Sequence, residues 1–245
     1  MSTLSAESSL EEMLAGSEPH PNANVFSFST TLNFRPLGAI ESWRYRYLKR
    51  AIDVVGSILL ILVCLIPGLL IAGAIVMTTR GPVFYREQRI GRFGIPFMIW
   101  KFRSMYRHAA YQSHAEVVLA DGNAKHWRMC KRLGDPRITA FGRFLRRGSL
   151  DELPQLLNVI RGEMSLVGPR PIVKAEMPLY GRLLKFYLAA NPGMSGLWQV
   201  SGRSNLDYEK RAQLDAVYVL SWSLRKDIAV LFRTIPAVLS RRGAC

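Results

Sequence analysis

The chain has 245 residues, a formal net charge of +15 and an apolar share of 49%. That length accommodates one domain with a real core plus a tail, and the apolar share excludes a disordered protein. The basic balance points to a polyanion as partner: nucleic acid, an anionic membrane surface or phosphorylated substrates. The three cysteines, Cys64, Cys130 and Cys245, show no metal-ligand spacing and are read as reduced thiols.

Residues 1–43 are rich in Ser, Glu, Asn and Pro without a sustained period, which predicts a disordered or loosely attached N-terminal tail. Residues 44–80 hold the longest apolar run. From Val54 to Met77 there is no charge, enough length as a helix to cross a hydrocarbon core of ~30 Å. Pro67-Gly68 interrupts it, where a proline removes a helical hydrogen bond and kinks the axis. Arg44, Arg46, Lys49 and Arg50 stand before it, and Arg80, Arg86, Arg89 and Arg92 after it. Positive charge stays on the cytoplasmic side, so basic flanks at both ends favour a re-entrant helix that turns at Pro67. A true span and a buried core helix remain open from the charges alone. Asp53, near the start, can cap the helix or pair with Lys49 or Arg50.

Residues 81–245 form the third part. Val83–Tyr85 and Phe97–Phe102 predict short strands joined by Gly-rich turns. Residues 106–132 read as helix and loop. A turn and helix follow from Pro136 to Arg147. Leu150 to Ile160 predicts a helix with Ser149 as N-cap and Glu152 as the capping-box acid. Asn191–Gly196 reads as a turn, Trp198-Gln199 as strand, Asp207–Trp222 as helix and Lys226–Leu239 as a final amphipathic helix.

The strongest chemical signal is RRGSLDELPQLLNVIRGEMSLVGPRP, Arg146 to Pro171. Taken alone, Asp151-Glu152 is a helix cap favoured by the helix dipole. Its surroundings are cationic: Arg146, Arg147, Arg161 and Arg170, the last held between two prolines. A guanidinium so fixed suits bidentate phosphate binding. One carboxylate of the pair can attack a phosphoryl group while the other holds Mg²⁺. Lys101 and Arg203 each follow a predicted strand and can meet phosphate, or can simply be surface charges. Asp215, one turn after Arg211, can bind that arginine or a metal. There is no Walker loop, GxGxxG, GxSxG or HExxH, and His20, His108, His114 and His126 make no metal pair. A membrane-tethered nucleic-acid binder rests only on the charge, and no reading module accompanies it. A non-catalytic scaffold is opposed by the intact acidic pair.

From about Tyr47 onward the sequence resembles the bacterial sugar transferases, the monotopic polyprenyl-phosphate phosphoglycosyl transferases. The resemblance is carried in order by KRAIDVVGS, GPVFYREQRIG, KFRSM, DPRITAFGRFLRRGSLDELPQLLNVIRGEMSLVGPRP, NPGMSGLWQVSGRS and DIAVLFRTIPAVL. It implies a helix-rich α/β fold. A re-entrant helix breaks at Pro67, and a small cytoplasmic catalytic domain with amphipathic membrane-surface helices lies on the inner membrane. Relatives often carry serine before that proline, where this chain has Ile66. The implied reaction is ping-pong. Asp151 attacks the sugar-bearing phosphate of a UDP-sugar and releases UMP. Undecaprenyl phosphate then takes the phosphosugar, which begins an exopolysaccharide repeat. Glu152 is implied to hold Mg²⁺, with Lys101, Arg147, Arg170, Arg203 and Asp215 around the phosphates and nucleotide. The short form resembles the transferases that begin exopolysaccharide repeat units. The C-terminal end resembles the galactose-phosphate transferases, which leans toward galactose 1-phosphate with glucose and N-acetylated sugars open. No nucleic-acid partner is implied, and a homodimer is left open.

Overall fold

The computed structural model describes residues 40, 42–79, 81–106, 137–201 and 207–239. Nearly all of the N-terminal tail, the stretch after Tyr106, Arg80, Arg203, Cys130, Cys245 and the four histidines lie outside the described residues. The architecture is helix-rich, with two small two-stranded sheets and one long apolar helix.

The chain enters through a π-helical turn, Arg44–Lys49, that runs on as α1, Arg50–Thr79. The helix continues through Pro67, where the sequence led us to expect a break. The reason lies in which side faces what. Asp53, Ser57, Ile71 and Ile75 are buried, and Ile61, Cys64 and Gly68 between them are half-buried. Their three- and four-residue spacing traces one stripe along the helix, laid on the rest of the protein for its full length. Pro67 is itself exposed, at the edge of that stripe, so its missing hydrogen bond leaves the packed residues intact. The outer side is broad and apolar: Val63, Ile66, Leu70 and Met77 are all at least 70% exposed.

β1 (Phe84–Ile90) and β2 (Pro96–Phe102) form an antiparallel hairpin, longer in its first strand than the sequence indicated. The turn uses Phe93 and Gly94 at positive φ, 60° and 79°. Opposed residues share a face, so Tyr85, Glu87 and Arg89 lie on the Lys101 side. α2 (Ala140–Arg147) begins at a true cap, with the Gly142 N–H donating to Thr139 Oγ1 at 2.7 Å.

A 3₁₀ turn, Leu150–Glu152, leads to α3 (Gln155–Arg161). The expected single helix capped by Ser149 is not formed. Ser149 adopts a left-handed conformation, φ 52° and ψ 21°, and its side chain makes no cap bond. Asn158, fully buried on α3, accepts from the Trp100 N–H and donates to Met98 O, which fastens α3 to β2.

β3 (Ser165–Val167) follows, then α4 (Met177–Tyr180), α5 (Leu184–Ala189) and β4 (Gly193–Ser195). β4 replaces the turn expected there and pairs parallel with β3. The two chains approach so closely that a Cβ on Gly193 would stand 2.0 Å from the Gly168 nitrogen, so only glycine fits. α6 (Leu197–Ser201) takes the place of the strand expected at Trp198-Gln199. α7 (Tyr208–Leu220) and α8 (Leu224–Leu239) close the fold as the periodicity indicated. The main core gathers Ile99, Leu156, Val159, Met164, Phe186, Tyr187 and Tyr218. A second cluster joins Ile71 and Ile75 of α1 to Phe102 and Leu145, with Leu150 and Leu153 packed against it.

A polar knot ties both ends of the chain to β3. Lys49 Nζ donates to Asp227 Oδ2 at 2.7 Å and to Val167 O at 3.0 Å. The single proton of the Tyr218 hydroxyl is shared between Asp227 Oδ1 at 2.7 Å and the same Val167 carbonyl at 3.0 Å, and Trp222 Nε1–H donates to Asp227 Oδ2. Asp53 is no cap, because the helix already extends upstream of it; its Oδ1 accepts the Leu166 N–H at 3.0 Å. Arg50 donates to the carbonyls of Val159 and Ile160 at the end of α3.

Candidate active site

The left-handed Ser149 swings the following 3₁₀ turn so that Asp151 faces inward, 8% exposed, with Glu152 beside it at the rim. A non-glycine residue at positive φ costs about 1–3 kcal/mol and persists where surrounding structure imposes it. Here Leu150 and Leu153, on either side of the acidic pair, impose it by packing against the anchor cluster.

The two carboxylates have opposite electrostatics. Burial pushes Asp151 up to about 6, and the adjacent negative Glu152 adds to this against the pull of Lys101 and Arg146. Burial pushes Glu152 the same way, but Lys101, by charge and hydrogen bond, then Arg170 and Arg89, outweigh it and hold Glu152 below the ordinary carboxylate range. Lys101 Nζ donates to Glu152 Oε1 at 3.0 Å from β2. One carboxylate is thus firmly ionised, and its neighbour holds its proton until near neutrality. Such divergence within a pair is the arrangement that assigns separate chemical roles.

Arg170 is set by its backbone on both sides. The Gly193 N–H donates to Pro169 O at 2.7 Å, and Arg89 Nη1 donates to Pro171 O at 3.2 Å. The Ile172 N–H donates to the Tyr187 hydroxyl. The charge of Arg170 acts on both Glu152 and Asp215. Asp215, 1% exposed on α7, accepts from the Tyr180 hydroxyl at 2.8 Å. Burial raises its carboxyl to about 7, although Tyr180, Arg170 and Arg211 work against that.

The structure therefore brings Asp151, Glu152, Lys101, Arg170 and Asp215 into one connected electrostatic neighbourhood. Arg147 is exposed at the end of α2, and its neighbour Arg146 is the one whose charge reaches Asp151, with its Nε donating to Ser104 Oγ at 2.8 Å. Arg203 lies outside the described residues. Arg89 was missed, although alternation along β1 places it on the Lys101 face once the hairpin is drawn. Glu176, Trp198 and Tyr180 carried no local signal.

The donor set fits Mg²⁺. Among the described residues no three His, Cys, Asp or Glu side chains cluster, so no all-protein cage exists there. Magnesium is held by one or two carboxylates, with waters and substrate phosphates completing its shell. Glu152, its side chain about one-third exposed and with one oxygen outside the Lys101 bond, and the adjacent Asp151 supply such a pair.

A sequence model described as Bacterial sugar transferase matches residues 44–241. The chain is 49% identical over 201 residues to the UDP-galactose-lipid carrier transferase of Erwinia amylovora. It is 47% identical over 202 residues to the undecaprenyl-phosphate galactose phosphotransferase of Salmonella typhimurium. Each alignment covers 81% of this chain but only 42% of the relative, so the chain spans well under half the length of these two proteins. The exopolysaccharide production protein ExoY of Sinorhizobium fredii is 42% identical over 211 residues, which cover 86% of this chain and 90% of that protein.

Proposed function

This chain belongs to the bacterial sugar transferase family, and we propose that it transfers a sugar 1-phosphate from a UDP-sugar to undecaprenyl phosphate, the membrane step that begins an exopolysaccharide. Galactose is the proposed sugar, in keeping with the names of the two longer relatives. The observation that carries the reading is the split acidic pair: a buried Asp151 beside an ionised Glu152, among Lys101, Arg146, Arg89 and Arg170.

In the first half-reaction a carboxylate oxygen of Asp151 attacks the phosphorus that bears the sugar. The bond from that phosphorus to the bridging oxygen breaks, and UMP leaves with the electron pair. In the second, an oxygen of the lipid phosphate attacks the same phosphorus. The aspartyl P–O bond breaks, Asp151 returns as carboxylate, and the lipid carries a diphosphosugar. A covalent intermediate lets one site serve a soluble and a lipid substrate in turn. Lys101 and Arg170 stand where they can offset charge on the transferring group, fixed beforehand by Glu152 and by the clamped Pro169 and Pro171 carbonyls. Mg²⁺, held by Glu152 with Asp151, would add charge neutralisation at the diphosphate.

Lipid access is supported by α1. Its upstream half packs through Asp53 and Ser57, and its downstream half through Ile71 and Ile75, on the same domain. We infer that both basic flanks stay on the cytoplasmic side of the inner membrane, with the broad apolar side of α1 turned to lipid. The turn expected at Pro67 is absent from α1, so what is proposed is only that its two ends lie on one face. Single cysteines introduced near residues 47 and 82 should then label from the same face of sealed vesicles. Labelling from opposite faces would make α1 a span.

The activity is tested with purified protein in lipid, Mg²⁺ and a panel of UDP-sugars, by following UMP. Without lipid phosphate, a burst of at most one UMP per enzyme is expected; with it, continued turnover. Because Asp151 must be ionised, the burst rate should fall about tenfold per pH unit below about 6 and level off above it. The burst isolates this ionisation from that of the lipid phosphate. No UMP from any UDP-sugar would refute the transferase reading, and a burst rate flat down to pH 5 would refute Asp151 as its nucleophile.

A further inference from the structure

Arg170 also lines a small cavity, together with Glu176, Tyr180, Trp198, Arg211 and Asp215. The guanidiniums of Arg170 and Arg211 stand over the Trp198 ring at 5.4 and 4.8 Å from its centre. The free space is about 10 Å³, the size of one oxygen-bearing group.

Among the buried atoms lining this cavity that lack a hydrogen bond of ordinary geometry are one on Asp215 and one on Trp198. Asp215 Oδ2 accepts from Tyr180 and the Arg170 backbone N–H also acts on the carboxyl, but Asp215 Oδ1 makes no hydrogen bond of ordinary geometry. Trp198 Nε1–H has no acceptor. The residues are 1% and 3% exposed, so water outside the protein does not satisfy them. Buried polar groups are normally paired, and those left over in a cavity mark a place for something that pairs them. An acceptor and a donor lining one cavity, each short of a partner, match a hydroxyl, which gives one hydrogen bond and takes another.

Charge separates this cavity from the acidic pair's side. Two guanidiniums are matched by two carboxyls here. Around Asp151 and Glu152, four cations act on two carboxylates. The charge of Arg170 acts on both regions, on Glu152 and on Asp215.

We infer that this cavity receives one hydroxyl of the transferred sugar, with Trp198 Nε1–H donating to its oxygen and Asp215 Oδ1 accepting its proton. Trp198 and Asp215 are then specificity-determining residues, and the sugar ring lies along Arg170 with its phosphate toward Asp151. The inference rests on the transferase reading above.

The test pairs Trp198→Phe, which keeps a ring under both guanidiniums and removes only the N–H, with UDP-hexoses each lacking one hydroxyl. In the wild type one deoxy analogue should lose about ten- to a hundredfold in kcat/KM for UMP release. Trp198→Phe should lose a similar factor on the parent sugar and little more on that same analogue. If the losses from the variant and from every deoxy analogue simply multiply, or if no analogue loses, the sugar does not reach Trp198 and the cavity holds a structural water. If the wild type releases no UMP from any parent UDP-sugar, the transferase reading fails first and takes this inference with it.

Discussion

Replacing Asp151 by asparagine is expected to lower UMP release at least about a thousandfold while leaving the protein at least as stable as before. The first half follows from chemistry, because an amide cannot form the phosphosugar ester. The second follows from the electrostatics. Burial and Glu152 raise the Asp151 carboxyl to about 6, above its usual 3.8. A carboxyl raised on folding makes its charged form a burden on the native state. Stability is then lost as pH rises from 3.8 through 6 and stays lost at neutrality. Asparagine fills nearly the same volume without the charge, so unfolding at pH 7 should become harder, by up to about 3 kcal/mol. Thermal unfolding of wild type and variant, beside the UMP burst, reads both quantities. Persistent turnover removes Asp151 from the nucleophile's role. Activity lost together with stability makes it a structural residue.

Lys49→Met has the largest expected effect on the fold. Lys49 and Asp227 are only 5% and 7% exposed at their side chains and 2.7 Å apart. Removing one partner of a buried pair strands the other charge, which costs about 3–5 kcal/mol. Tyr218 and Trp222 still donate to Asp227 but carry no charge to balance it. The double variant Lys49→Met/Asp227→Leu should recover much of the loss, since it strands nothing. Chemical unfolding in lipid nanodiscs gives the comparison. A Lys49→Met loss below about 1 kcal/mol would show the pair to be water-accessible.

The elements written in long periods were legible. α7 and α8 carry enough turns for their apolar spacing to show, and the β1–β2 hairpin announces itself by alternation and Gly94. The short elements were not. β4 and α6 follow one another within nine residues, too few for a period of two to be told from one of 3.6. Ser149 was read as a cap because Ser-x-x-Glu is the usual signature, and only the packing of Leu150 and Leu153 on the anchor turns it left-handed. Pro67 was read as a break because proline's local cost is visible in sequence, whereas the stripe that bypasses it depends on which side meets the domain. In the site, Asp151, Glu152, Lys101 and Arg170 stood out because chemistry and family motifs coincide on them. The choice of Arg146 over Arg147 needed the phase of α2, and the Asp215–Trp198 cavity needed three elements far apart in sequence.

The bond between Lys49 and Asp227 spans 178 positions of the chain. At about 5–20 residues per second of synthesis, roughly 9–36 s separate the appearance of the two partners. Throughout that interval the ammonium of Lys49 has no Asp227 to meet, whereas the apolar helix just behind it, Arg50–Thr79, needs only 30 further residues. The long helix is therefore complete well before the knot can close, and β3 is fastened only when Tyr218 and Asp227 arrive. Closing the knot is a late event in the life of each nascent chain.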